Sequence, residues 1–144
     1  MAETTGLTGY AADFMGIANS YAEIWNQPDP VLRRTAIANL WAADGVGYLE
    51  GVRFSGHDEL DTRVTDIYGK FGASGKYRVR HAGDTSVHQD VIMFTIEVVT
   101  LDTDEIAWAG RVFLILDGDG RIREDYQVTV QFAVELLPIG ESPA

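Results

Sequence analysis

The sequence lacks cysteine, has few basic residues and contains no long apolar run, and each absence excludes a class of protein. Without cysteine among the 144 residues, a disulfide framework, a thiolate metal site and a cysteine nucleophile are excluded. Lys and Arg number 11 against 22 Asp and Glu, a formal net charge of −11. That charge argues against a nucleic acid or an anionic membrane as partner. No apolar run approaches the roughly 20 residues of a membrane-spanning helix.

The composition that is present indicates one globular domain. Apolar residues make up 46% and charged residues 23%, both close to globular averages. We therefore expect a single domain over residues 1–144, with a core at about 10–134 and loose ends at 1–8 and 137–144. The first residues lack the basic-then-apolar order of a secretory signal, so we expect a cytoplasmic protein.

The first half of the chain has helical periodicity. Apolar residues recur every three or four positions in Thr8–Asn26 and again in Val31–Trp41, which predicts two helices. Residues 42–45 are expected to end the second helix, and Val46–Phe54 to be extended. Ser55 and the acidic residues after it provide an N-cap and first turn for a third helix, to about Phe71.

The second half changes to a period of two. We predict strands at Tyr77–Ala82, Val91–Leu101, Ile106–Leu116 and Arg121–Val134, with a hairpin turn at 117–120. Helices followed by strands indicate an α+β fold with an antiparallel sheet. A curved sheet covered on one side by helices would enclose a pocket between the two layers.

Alternation along the strands predicts which side chains face that pocket. Val91–Leu101 directs Ile92, Phe94, Ile96 and Val98 to one side, and placing this set inward keeps Glu97 in water. Ile106–Leu116 is apolar on both faces, so we expect its outer face to form a homodimer with a second copy. The alternative is that Phe113 and Ile115 are simply exposed.

Four short motifs support a resemblance to a known family. They are Ser20–Asn26 (SYAEIWN), Leu40–Val46 (LWAADGV), Phe54–Leu60 (FSGHDEL) and Leu116–Ile122 (LDGDGRI). In this order they resemble the nuclear-transport-factor-2-like superfamily, in its SnoaL-like polyketide cyclase and ketosteroid-isomerase-like branch, over about residues 10–134. The resemblance implies a cone-shaped, strongly curved mixed or antiparallel sheet wrapped around a pocket that three N-terminal helices cover. It also implies a homodimer, and catalysis without metal or cofactor by a carboxylate and hydrogen-bond donors.

The family's functional positions carry over only in part. Tyr21 matches the phenol that ketosteroid isomerases place on the first helix. Leu49 stands where they have the base carboxylate, and Val112 where they have a carboxylic acid in the oxyanion hole. Gln127 stands where SnoaL-like cyclases carry an acid. Ketosteroid isomerisation is therefore not expected.

Asp125 is the first candidate for acid–base chemistry. It lies two residues before Gln127 and so shares its face of the strand. In an apolar pocket, desolvation would raise the pKa of this carboxyl into a useful range. The alternative is an ordinary carboxylate paired with Arg121 or Arg123.

Other side chains supply candidate donors and pocket walls. His81 could be a pocket base or a partner of Asp125, or a structural histidine. Tyr21 and Gln127 could polarise a substrate carbonyl, although the Tyr21 hydroxyl could equally be satisfied elsewhere. Glu50 could lie at the pocket mouth. The expected substrate-binding residues, each of which could instead be ordinary core, are Trp25, Trp41, Leu49, Tyr77, Phe94, Ile96, Trp108 and Val112.

No motif predicts a metal. The three histidines lack zincin spacing, and the Asp117–Gly120 turn lacks the Glu that an EF-hand needs eleven residues after Asp117, where Val128 stands. Two functions follow from these residues. The first is a small cofactor-free enzyme that cyclises, isomerises or dehydrates an apolar carbonyl or polyketide-like compound. The second is a non-catalytic small-molecule-binding or assembly module of the same fold.

Overall fold

The computed structural model describes residues 14–132, in which two helices are followed by two strands, a third helix and five further strands. Residues 14–24 are helical (α1); α2 is Pro30–Leu40, α3 is Gly56–Lys70, and a 3-10 turn covers Gly72–Ser74. The strands are β1 Trp41–Leu49, β2 Val52–Ser55, β3 Tyr77–His81, β4 Ser86–His88, β5 Val91–Thr100, β6 Ile106–Leu116 and β7 Ile122–Phe132. This confirms the predicted α+β class. The expected loose ends and the predicted outer limits at Thr8 and Val134 lie outside the described residues.

Local sequence explains the helix boundaries. The Asp29 side chain accepts hydrogen bonds from the backbone N–H groups of Val31 and Leu32, and Pro30 occupies the first helical position of α2. In α3, Asp58 and Glu59 lie in the first turn and Lys70 in the last, so charges at both ends complement the helix dipole.

The sheet is mixed, not wholly antiparallel as the strand pattern predicted. Its described strands pair in the order β2–β1–β7–β6–β5–β3, with β4 also on β5, and the sheet does not close. β1 runs parallel to β7, and the other pairs are antiparallel. The parallel pair joins two strands that are far apart in the chain, because β1 precedes the helix α3 and β7 is the last described strand.

One local expectation is wrong, and another is right except for a turn that it missed. Residues 42–45, expected as a turn, belong to β1, which continues directly from α2 and shifts its register against β7 between Trp41 and Val46. The extended stretch after it is a hairpin, because Glu50 and Gly51 adopt positive φ angles of 49° and 84° and form a two-residue turn between β1 and β2.

The core lies between the helices and one face of the sheet. Its fully buried members include Tyr21 and Ile24 from α1, Ile37 from α2, Leu60 from α3 and Phe94 from β5. The predicted inward set of β5 is buried as expected: Ile92, Phe94, Ile96 and Val98. Within residues 14–132 no helix has the length and hydropathy needed to cross a bilayer.

Candidate functional site

A polar cluster built around Asp125 lies inside this core. Asp125 is on the inward face of β7 and has no exposed surface. Its Oδ1 accepts a hydrogen bond from the Tyr21 hydroxyl at 3.0 Å, and its Oδ2 accepts one from the Trp41 indole N–H at 3.1 Å. The third donor is Arg63, whose Nη1 lies 3.2 Å from Oδ2. Each carboxylate oxygen is therefore bonded, as a buried carboxylate requires.

Arg63 supplies the positive charge of the cluster. It projects from α3 and is 2% exposed, so its ion pair with Asp125 is removed from solvent. The guanidinium carbon lies 5.1 Å from the centroid of the Trp25 ring and 5.5 Å from that of Phe54. Two aromatic faces thus stabilise the cation, while Nε and Nη2 have no hydrogen-bond partner among residues 14–132.

Gly47 makes room for this ion pair. A Cβ at position 47 would collide with Nη1 of Arg63 and lie 2.9 Å from Oδ2 of Asp125. Gly47 and Asp125 are paired in the parallel β1–β7 ladder, so the missing side chain leaves the space where the two charged groups meet. Close packing and not backbone conformation therefore requires glycine here.

Burial dominates the protonation of the cluster. Desolvation raises the pKa of Asp125, and the positive charge of Arg63 and the bonds from Tyr21, Arg63 and Trp41 lower it only in part. Burial also raises the pKa of the Tyr21 phenol, and the Asp125 charge raises it further. For Arg63, burial opposes the charged form, but the attraction of Asp125 and Tyr21 outweighs it, so the pKa of Arg63 stays above its usual value.

Gln127 connects the cluster to an open cavity. Its Nε2 donates to the Tyr21 hydroxyl at 2.8 Å, so a continuous chain of hydrogen bonds runs from Gln127 through Tyr21 to Asp125. Gln127 is 6% exposed and is part of the cavity wall, whereas Tyr21 and Asp125 are not among the lining residues. The neutral carboxamide of Gln127 is therefore the member of this series of hydrogen-bonded groups that borders the cavity.

The cavity is largely apolar and has a volume of about 400 Å³, within the range of small-molecule sites. Glu50 and Lys70 are its charged lining residues, and Gln127 and Thr129 its uncharged polar ones. The full lining is Trp25, Leu49, Glu50, Val52, Ile67, Lys70, Phe71, Val79, Ile96, Val98, Trp108, Gln127, Thr129 and Phe132.

Glu50 lines the cavity as expected, but its carboxylate is engaged with the backbone. Oε1 of Glu50 accepts the N–H of Thr129 at 2.7 Å, and this hydrogen bond lowers the pKa of Glu50. Since β1 ends at Leu49, opposite Gln127, the Glu50 side chain satisfies a β7 donor that lies beyond the end of the strand pairing.

The structure brings together three of the four predicted catalytic residues. Tyr21, Asp125 and Gln127 are bonded to one another, whereas His81 is not part of the cluster. The ring nitrogen Nε2 of His81 lies 2.6 Å from Oδ1 of Asn19, and its Nδ1 accepts the N–H of Gly83. The suggested pair of His81 with Asp125 is wrong, because the imidazole is hydrogen-bonded to Asn19 on α1.

The predicted ligand-contacting residues separate into two groups. Trp25, Leu49, Ile96 and Trp108 line the cavity. The others are not in its wall. Trp41, Phe94 and Val112 are fully buried, so they are core residues, and Tyr77 packs edge-on against Phe71.

Arg63 is the member of the cluster that the sequence did not indicate. The alternative partners suggested for Asp125 were Arg121 and Arg123, but Arg123 lies beside Glu124. The signal that could have identified Arg63 is helical periodicity. Leu60, Arg63, Val64 and Ile67 share one face of α3, so an arginine stands within an apolar stripe where it needs a buried partner.

The structure contains no preformed metal site in the part of the chain that it describes, because no three His, Asp or Glu side chains cluster there. The polar groups gathered around Asp125 are hydrogen-bond donors, so they suit the negatively charged carboxylate and not a metal cation. They leave the carboxylate engaged by protein groups alone.

Comparison with known proteins identifies the fold. No protein-family model matches the sequence, and no curated protein does. Among solved structures, a candidate isomerase of the SnoaL-like family from Agrobacterium tumefaciens is 21% identical, with a TM-score of 0.74 over 83% of this chain and 99% of that one. A candidate polyketide cyclase from Sinorhizobium meliloti is 17% identical, with a TM-score of 0.60 over 78% and 93%. A candidate hydroxylase from Streptomyces galilaeus is 18% identical, with a TM-score of 0.63 over 92% and 85%.

These likenesses confirm the SnoaL-like, nuclear-transport-factor-2-like fold that the four motifs indicated. They do not select a reaction, since the three similar structures are described as an isomerase, a cyclase and a hydroxylase. One fold accommodates different chemistries by changing its pocket. The function of this chain therefore depends on its own cavity and cluster.

Proposed function

We propose that this chain binds an apolar small molecule bearing a carbonyl oxygen in the cavity, and that Gln127 donates the hydrogen bond that orients it. The observation that carries this proposal is the position of the Gln127 carboxamide in an otherwise largely apolar wall. One Nε2 hydrogen is used by Tyr21, which leaves a second N–H for a ligand.

The Asp125 cluster supports this role from behind the wall. Because the Tyr21 hydroxyl donates to Asp125, it can only accept from Gln127, and this fixes which end of the amide faces Tyr21. The side-chain rotamer and the donor direction of Gln127 are thereby set before a ligand arrives. Preorganised donors of this kind lose little entropy on binding.

Acid–base catalysis on the bound carbonyl compound is the second candidate function. Two observations favour it: the raised pKa of Asp125 and the unbroken hydrogen-bond chain from that carboxyl to the cavity. Here the substrate would reach past Gln127 to Tyr21, whose oxygen would take the substrate proton as its own hydroxyl proton passes to Asp125. Gln127 would hold the carbonyl oxygen where negative charge develops. Cyclisation, isomerisation and dehydration of such compounds can each begin with loss of a proton beside the carbonyl. The complete burial of Asp125 favours the binding role instead.

Binding is tested with a matched pair of ligands, 2-tetralone and tetralin, which differ mainly in the carbonyl oxygen. Equilibrium dialysis should show that 2-tetralone binds more tightly, by about three- to tenfold, the value of one neutral hydrogen bond. In Gln127→Leu the preference should disappear while tetralin still binds. Equal binding of the two compounds to the wild-type protein would refute the orienting role of Gln127.

Catalysis is tested on the same ketone by deuterium exchange at its α-carbons in D₂O, followed by NMR. An enzyme should accelerate exchange above the buffer rate, and Tyr21→Phe, which keeps the Arg63–Asp125 pair, should remove most of the acceleration. Asp58→Asn serves as the control, since Asp58 is exposed and lies away from the cavity. Binding without accelerated exchange would refute the catalytic function and support the non-catalytic binding function.

The outer face of the sheet supports a homodimer as part of this proposal. The Tyr48 and Tyr126 rings stack with centroids 4.8 Å apart, and Phe113 lies beside Tyr126 in the β6–β7 register. These side chains are only half-buried, so a second copy would cover apolar area that water now contacts. Sedimentation velocity should give a dimer for the wild type and a monomer for Phe113→Lys. A dimer unaffected by that substitution would place the interface elsewhere.

A further inference from the structure

Trp108 lines the cavity and is held against the backbone of its own strand. Trp108 and Gly110 lie on the same face of β6, and a Cβ at position 110 would come 2.5 Å from Cη2 and 3.0 Å from Cζ2 of the indole. The six-membered part of the ring therefore occupies the space that a side chain at 110 would fill. Gly110 lets the indole lie close to the sheet instead of projecting into the cavity.

A hydrogen bond fixes the other part of the ring. The indole Nε1 of Trp108 donates to the Thr129 hydroxyl at 3.2 Å, and Thr129 is the partner of Gly110 in the β6–β7 ladder. The register shifts just beyond this point, so that Ala109 pairs with Gln131, and β7 carries an extra residue there. The bulge and the glycine together provide a seat for one large ring.

Gln127 and Trp108 face the same cavity along neighbouring strands. Gln127 and Thr129 are two residues apart on β7, about 7 Å along the strand, and both are lining residues together with Trp108. A ligand whose oxygen is bonded by Gln127 therefore has its apolar body close to the seated indole. The distance between these two groups limits how far a rigid ring system can extend.

We propose that Trp108, seated on Gly110 and tethered by Thr129, determines the length of fused-ring ketone that the cavity accepts. This inference rests on the proposed function, because it takes the Gln127 end as the fixed point of the ligand. It deepens that function by assigning size selection to one side chain. The ligand class it specifies is a flat, apolar ketone of a few fused rings.

The test compares 2-tetralone with its linear analogue that carries one further fused benzene ring. Equilibrium dialysis measures both dissociation constants, so the readout does not depend on how many tryptophans remain. Trp108→Phe replaces the indole by a smaller ring and enlarges the cavity. The affinity for the longer ketone relative to 2-tetralone should therefore rise about tenfold, as expected for a change of this size in an apolar pocket.

Gly110→Ala should act in the opposite direction. The added methyl displaces the indole from the sheet into the cavity, so the longer ketone should lose affinity selectively, by about tenfold. The double variant Trp108→Phe with Gly110→Ala should return to the ratio of Trp108→Phe, because phenylalanine lacks the outer ring atoms that collide. Gly69→Ala is the matched control, since a Cβ there meets no atom within 4 Å.

The outcomes separate this inference from the function beneath it. If the wild-type protein binds neither ketone, the proposed function fails and the size selection fails with it. If both ketones bind and Trp108→Phe leaves their ratio unchanged, the proposed function stands and Trp108 does not select length. Because Trp108→Phe is a conservative replacement, this test holds even if Gly110→Ala fails to fold.

Discussion

The Asp125 cluster and the cavity meet at Gln127 and have opposite character. The cluster holds a full ion pair, and the Asp125 and Arg63 side chains are 0% and 2% exposed. The cavity has a volume of about 400 Å³ and a mainly apolar wall. The comparison teaches that this fold can keep an ion pair behind the cavity wall and connect it to the cavity through a neutral amide. It also separates the region that we expect to affect stability most from the region in which we propose that a ligand binds.

Removing one charge of the cluster should have the largest effect on stability. Arg63→Met leaves Asp125 buried without its cation, and we expect a loss of about 3–5 kcal/mol in the free energy of unfolding measured by urea titration. The double variant Arg63→Met with Asp125→Asn should recover most of that loss, since neither charge remains. If Arg63→Met alone is neutral, the ion pair is not held in a dry environment.

Filling the space at Gly47 should have the next largest effect. Gly47→Ala places a methyl against Arg63 and Asp125 and should cost about 1–3 kcal/mol in the free energy of unfolding. Gly69→Ala in α3, where the same methyl meets no atom within 4 Å, should be neutral or stabilising by up to about 1 kcal/mol. Equal effects at the two sites would mean that the cluster is loosely packed.

The sequence predicts the buried faces of the strands better than the contacts of the Asp125 cluster, and the reason is physical. The strand β6 was predicted with its observed limits, and the inward set from Ile92 to Val98 was correct, because burial imposes a period that local sequence records. The hydrogen bonds of Asp125 join residues up to 104 positions apart. Such contacts leave no local pattern, and the partner Arg63 was missed.

The cavity was predicted incompletely for a related reason. Alternation indicates which face of a strand is buried, but it cannot separate a residue that contacts a cavity from one that contacts other core residues. Phe94 and Val112 point inward as expected and are fully buried, whereas Val98 and Phe71 line the cavity. Tertiary packing decides this, and the sequence of a single strand does not record it.

The pH dependence of stability should distinguish the cluster from surface carboxylates. Since burial raises the pKa of Asp125 in the folded state, its stabilising contribution is full below its usual pKa near ~3.9. That contribution is lost as the pH rises through the folded-state value. The difference in unfolding free energy between the wild type and Asp125→Asn should therefore decrease as the pH rises over this window. A difference that increases instead would mean that the pKa is lowered.

An exposed ion pair provides the smallest expected effect. Arg34 and Asp58 are 2.5 Å apart, with side chains 45% and 90% exposed, and water and salt screen such pairs. Asp58→Asn should shift the urea midpoint only slightly, because the pair is screened and Glu59 remains in the first turn of α3 to complement the helix dipole. A clear loss of stability would show that exposure is a poor guide to the strength of ion pairs in this protein.

An NMR pH titration of the Asp125 side-chain carboxyl tests the central claim most directly, because that claim is a desolvated carboxyl kept behind the cavity wall. The protein is labelled with carbon-13, and Asp125→Asn identifies the signal. The account predicts an apparent pKa well above the ordinary value near ~3.9, since burial is the largest influence on this group. A value at or below the ordinary one would contradict it and would mean that the ion pair or solvent, not desolvation, governs Asp125.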